Sequence, residues 1–123
     1  MVDGDGAAGA RREQLLALAA DVERLSGPRF EVEVRIAAAT GRLPCAFTAK
    51  LDCAAELVPK GWYWRCGHGS LHPGWAHLNR VHADHCDYED ETNGRAATPA
   101  LALCAAALRA LASPRELKRA GHA

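Results

Sequence analysis

The segment TPALALCAAALRAL, residues 98–111, constrains the fold more than any other part of the chain. Thr98 followed by Pro99 has the form of an N-cap with proline at the first helical position, where the missing N–H costs nothing. From there Leu101, Cys104, Leu108 and Leu111 recur at three- and four-residue steps, with alanine filling the flanks. A helix of this kind is stable only when its apolar stripe packs against other elements. The rest of the chain must therefore supply a complementary apolar surface.

Two segments upstream have the right pattern. Between Arg11 and Ser26, Leu15, Leu18, Val22 and Leu25 share one helical stripe while Arg12, Glu13 and Glu23 face water, and Gly27-Pro28 ends the run. In FEVEVRIAAATG, Phe30, Val32, Val34 and Ile36 alternate as a half-buried strand would, yet Val32 and Ile36 also lie one helical turn apart. Periodicity admits both; the three alanines and the closing Gly41 favour a helix. After Pro44, Thr48 is placed to cap a helix burying Leu51, Ala54, Ala55 and Val58 and stopped by Pro59 and Gly61.

The pattern then changes. WYWRCGHG and GWAHLNRVH are aromatic-rich runs separated by Ser, Pro and Gly, which predicts a β-hairpin. Apolar residues on both faces of these strands suit a sheet covered on two sides, with Trp62, Tyr63, Trp64 and Trp75 in the core rather than forming a stacking platform for bases. Residues 83–97 are polar and acidic, and they read as a loop turning at Asn93-Gly94.

The chain has 123 residues, a size that suits one domain around one core. The expected division is a disordered N-terminus over 1–10, a single sandwich domain over 11–112, and a basic tail or short, mostly exposed helix over 113–123. Fifteen basic and fifteen acidic side chains cancel, so no overall field attracts a phosphate backbone, and nucleic-acid binding is disfavoured. A weaker nucleic-acid reading would use the tryptophans with Arg109, Arg115, Lys118 and Arg119. The N-terminus lacks a secretory signal and no stretch has the apolar length of a membrane span, so the expected location is the cytoplasm, with no membrane partner. For such a location the five cysteines read as reduced, with Cys53 and Cys104 as small core residues on helices.

Cysteines and histidines crowd residues 66–86, in the order Cys66, His68, His72, His77, His82, His85, Cys86. Structural zinc needs four converging ligands, usually as two close pairs, and this order matches no standard spacing. A hairpin turning near Ser70 and Leu71 sets Cys66 opposite Trp75, Trp64 opposite His77 and Trp62 opposite Asn79. His82 is then about 20 Å along the ribbon from Cys66. Two groups of three result, Cys66/His68/His72 at the turn and His82/His85/Cys86 at the far end, each one ligand short. The expectation is no metal site and no cofactor, with a zinc-binding module or metal-dependent enzyme on this hairpin as the alternative function. Catalytic residues cannot be assigned: the chain has no G-x-S-x-G, P-loop or Rossmann glycine pattern, and a Cys86 nucleophile paired with His85 or His82 has no orienting group. The surface feature best suited to binding a protein is the acidic stretch, with Asp84, Asp87, Glu89, Asp90 and Glu91 around Tyr88 as anchor.

The succession GPRFEVEVRIAAATG, FTAKLDCAAELVPKGWYWR, PGWAHL and ATPALALCAAALRA resembles the phage ABA sandwich domain family of bacteriophages and prophages, over residues 14–112. The resemblance implies an α+β chain forming a three-layer α/β/α sandwich, with a small, mainly antiparallel sheet, a helix from Pro28 to Ala39 and a long C-terminal helix. The family has no assigned reaction, so no functional residues carry over. The His-rich hairpin and the acidic stretch depart from its pattern. The resulting expectation is a phage or prophage accessory protein of the host-cell cytoplasm that binds a host or phage protein, with a host-defence inhibitor of the anti-CRISPR kind as its most concrete form. The oligomeric state is not readable from the sequence.

Overall fold

The computed structural model describes the backbone of residues 3–81 and 86–121 and the side chains of residues 6–80 and 90–120. In chain order the elements are α1 (Asp3–Glu23), α2 (Phe30–Thr40), α3 (Leu51–Ala55), β1 (Tyr63–Gly67), β2 (Gly74–Val81), β3 (Cys86–Ala96), α4 (Pro99–Leu111) and α5 (Pro114–Gly121). The chain is an α+β fold: a three-stranded antiparallel sheet in the order β1-β2-β3, with helices packed against it.

Helix α4 is the centre of the molecule. The Thr98 hydroxyl accepts the Leu101 N–H at 3.1 Å and Pro99 opens the first turn, as the sequence predicts. Every residue from Ala100 to Leu108 is buried, as is Ala110, so this helix is enclosed on all sides and not along one stripe. The sheet covers one side, mainly through β2 and β3, while α1 and α3 cover the others. The layers therefore run sheet, α4, then α1 and α3. On the second face of the sheet, which was expected to be covered, Tyr63, Arg65, Trp75, Glu91, Asn93 and Arg95 are exposed.

Close approach of α4 to the sheet requires glycine. A Cβ on Gly94 would lie 2.1 Å from the Ala102 carbonyl oxygen, and one on Gly74 would lie 2.2 Å from the Thr98 backbone. Asn93-Gly94 is thus mid-strand, and the expected loop over 83–97 is in its described part the strand β3. Among the described side chains of β3, those on the inward face are Asp90, Thr92, Gly94 and Ala96, none of them apolar and larger than alanine, which removes the periodic signal that marks a strand there.

Helix α2 forms where the alternation left two choices, and Gly41, at φ 70°, ends it in the left-handed conformation that glycine adopts without strain. Thr48 braces the start of this helix and does not cap α3. Its hydroxyl accepts the Arg29 N–H at 2.9 Å and donates to the buried Glu33 carboxylate at 2.6 Å. The residue before α3 is Lys50, with no side-chain cap. Helix α1 begins at Asp3, so residues 3–10, expected to be disordered, are helical.

The C-terminal segment is a short helix, as expected, with Pro114, Arg115, Lys118, Arg119 and Ala120 exposed. Leu117 and Glu116 anchor it: both are buried, and the Trp62 indole N–H donates to Glu116 at 3.2 Å. Cys45 and Cys53 form a disulfide with their Cα atoms 6.0 Å apart, which corrects the reading of all cysteines as reduced. Among the described residues Cys66 and Cys104 are free thiols. No described helix is long and apolar enough to cross a membrane.

Candidate functional site

Because side chains alternate along a strand, the pairing of β1, β2 and β3 sorts residues onto two faces. Tyr63 pairs with Asn79, Trp64 with Leu78, Arg65 with His77, Cys66 with Ala76 and Gly67 with Trp75. This register is one residue away from the sequence expectation, because the connection between the strands is centred on Leu71 and not between Ser70 and Leu71. A one-residue slip moves every side chain to the opposite face. On the second ladder Asn79 pairs with Glu91, His77 with Asn93 and Trp75 with Arg95.

The outward face is a grid of three rows: Tyr63, Asn79 and Glu91; Arg65, His77 and Asn93; Gly67, Trp75 and Arg95. Tyr63 is 65% exposed and Trp75 37% exposed, and the Trp75 indole lies over Gly67, where a Cβ would meet the ring at 3.0 Å. In the middle of the grid His77 Nε2 and Glu91 Oε1 are 2.5 Å apart. The hairpin aromatics thus divide. Trp62 is buried as expected, whereas Tyr63 and Trp75 stand on an open surface. Trp64, on the inward face, remains 42% exposed because α4 packs far less on β1 than on β2 and β3.

The acidic residues separate in the same way. Asp90 is buried, near Arg115 at 3.9 Å, and is not part of an exposed acidic surface. Glu91 is on the outward face, held by His77. Asp87, Tyr88 and Glu89 belong to β3, but their side chains, and Asp84 as a whole, lie outside the described residues. Of the basic residues considered for a nucleic-acid surface, Arg109 is paired with Glu23 at 2.6 Å and Arg119 with Glu116 at 3.4 Å, while Arg115, Lys118 and Arg119 are exposed.

Among the described residues no three His, Cys, Asp or Glu side chains are grouped to hold a metal ion, so Cys66, His68 and His72 are not brought together as a ligand set. His82 and His85 lie outside the described residues, as does the Cys86 side chain. At the backbone Cys66 pairs with Ala76 and Cys86 with Val81, five residues further along β2, or about 17 Å. Burial pushes the Cys66 thiol above its ordinary pKa, and burial together with the nearby Glu33 charge pushes Cys104 up to about 12. Neither sulfur is poised as a thiolate nucleophile.

No family model matches the chain, and no curated protein or solved structure matches it.

Proposed function

We propose that this protein is a small phage or prophage accessory protein that works by binding another protein, and that the outward face of its sheet is where the partner sits. The observation that carries the binding reading is the exposure of Tyr63 and Trp75 on a sheet face that no described helix covers. Aromatic side chains present large, stiff contact areas and are enriched at the energetic centres of protein interfaces. The charges around them are mixed, with Arg65 and Arg95 beside Glu91, His77 and two asparagines. Such a surface suits another protein better than a polyanion.

The phage origin rests on the sequence resemblance alone, and inhibition of a host defence system is the most concrete form of the function. The proposed compartment is the host cytoplasm. Thiol reductants there open cysteine pairs, so the fold must persist with Cys45 and Cys53 reduced, which unfolding curves with and without a reductant check.

The direct test is affinity recovery from infected or lysogenic cells using the wild-type chain and a Tyr63→Glu/Trp75→Glu variant of matched helical content. A partner recovered by the wild type and reduced at least about tenfold by the variant supports the reading. Equal recovery with both proteins contradicts it.

A further inference from the structure

The two edges of the sheet are not alike. On β3 two edge-strand backbone groups are already taken by side chains: the Arg95 N–H donates to Glu23 at 2.9 Å, and the Asn93 carbonyl accepts from Arg109 at 2.8 Å. Ion pairing of Glu23 with Arg109 fixes both. An edge covered in this way does not recruit another strand.

On β1 nothing equivalent exists among the described residues. The strand pairs only with β2, and among the described residues no hydrogen bond outside the sheet reaches the backbone of Tyr63–Gly67. In an antiparallel ladder alternate residues of an edge strand point their N–H and C=O groups away from the sheet. The bare edge is flanked by aromatics on both faces, Tyr63 outward and Trp64 inward, both substantially exposed. Next to Tyr63 on the outward face Arg65 is exposed, and no carboxylate of the described residues is within ion-pair distance of it.

We propose that β1 is a docking edge for an extended segment of a partner protein, which adds a fourth antiparallel strand to the sheet and sets an acidic side chain opposite Arg65 and apolar side chains against Trp64. This deepens the binding reading given above and rests on it. Main-chain hydrogen bonds supply affinity in strand addition, while the alternate side chains supply selectivity. A second copy of this chain is a poor occupant. The one antiparallel register that pairs all five residues of β1 with another β1 sets Arg65 against Arg65, and like charges directly opposite are destabilising.

The probe is a set of ten-residue peptides with valine or phenylalanine at alternate positions and aspartate, threonine or lysine between them. Backbone amide shifts and hydrogen exchange of the full chain are the readouts. The aspartate peptides are expected to bind, to slow exchange of alternate amides within Tyr63–Gly67, and to outbind the lysine peptides about fivefold. Arg65→Glu, a fully surface change, inverts that order, and N-methylation of alternate peptide amides abolishes binding. The inference is overturned if no peptide of the set binds, if binding survives N-methylation, if the shifts map away from β1, or if an eight-nucleotide oligothymidylate binds this face more tightly. Protection of β1 that grows with protein concentration alone also overturns it, since a second copy is then the occupant. Should a cellular partner depend on Tyr63 and Trp75 yet be indifferent to Arg65→Glu, the face reading stands and the edge inference fails.

Discussion

The inward and outward faces of the sheet are made by the same three strands, residue by residue in alternation, yet opposite demands govern them. Inward, Gly74, Ala76 and Gly94 are small enough for α4 to lie almost on the backbone, and Leu78 fills the remaining space. Outward, Trp75, His77, Asn93 and Arg95 are large or polar, and Trp75, Asn93 and Arg95 are exposed. Stability is concentrated on one side of the sheet. The other side is left free to vary in chemistry, which is where binding specificity can be placed without cost to the fold.

Neighbouring positions on β3 give the largest contrast. Gly94→Val drives a branched side chain into the Ala102 carbonyl and is expected to cost about 3 kcal/mol or more, while Asn93→Val stays within about 0.5 kcal/mol of wild type. Urea unfolding of the two variants decides this, and equal losses would break the distinction between the faces. Next in size is the disulfide. Opening Cys45–Cys53, eight residues apart, removes about 2.5 kcal/mol on chain-entropy grounds. Thermal unfolding should shift accordingly, with the fluorescence of the folded state unchanged because the bond is on the helical side. A spectral change in the folded state would show that the two sides are coupled.

The ion pair covering the β3 edge has a smaller effect. The hydrogen bond from Arg109, followed by that from the Arg95 N–H, holds the Glu23 carboxyl below its usual range against an opposing desolvation. With the folded pKa depressed, the contribution is complete above the unfolded value of 4.5 and disappears as pH falls through the folded pKa. Arg109→Met should cost roughly 1.5 kcal/mol at neutral pH, and the difference from wild type should shrink in acid. A loss that stays constant down to pH 2 would mean that Arg109 acts through packing alone. Smallest of all is Tyr63→Ser on the open face, expected within about 0.5 kcal/mol of wild type by the same unfolding measurement.

The division between the faces also explains what the sequence revealed. Helices α2 and α4 and the β1–β2 hairpin were readable because capping residues and apolar spacing identify them locally. Strand β3 was not, since Asp90, Thr92, Gly94 and Ala96 turn inward with nothing apolar beyond a methyl group. Its inward positions are selected for small size against α4, and hydrophobic periodicity does not record size. The open face was missed for a related reason. Exposed tryptophan and tyrosine look like core residues until the register is known, and the register depends on a turn centre that was half a residue off. Thr48 was assigned to the nearest helix in sequence, while its hydroxyl serves one that precedes it. The Cys45–Cys53 bond was discounted because a cytoplasmic location was expected, a compartment argument that says nothing about which sulfurs the fold brings together.

The central claim is that one face of the sheet is packed and the other bare. Nuclear magnetic resonance with a soluble gadolinium chelate tests it on the unmodified protein, since relaxation enhancement falls steeply with distance from solvent. The aromatic protons of Tyr63, Trp75 and Arg65's neighbour His77 should be strongly relaxed, and the methyls of Ala76 and Leu78 should not. If Tyr63 and Trp75 prove as shielded as Leu78 in dilute solution, a helix or a second copy covers that face and the account is contradicted.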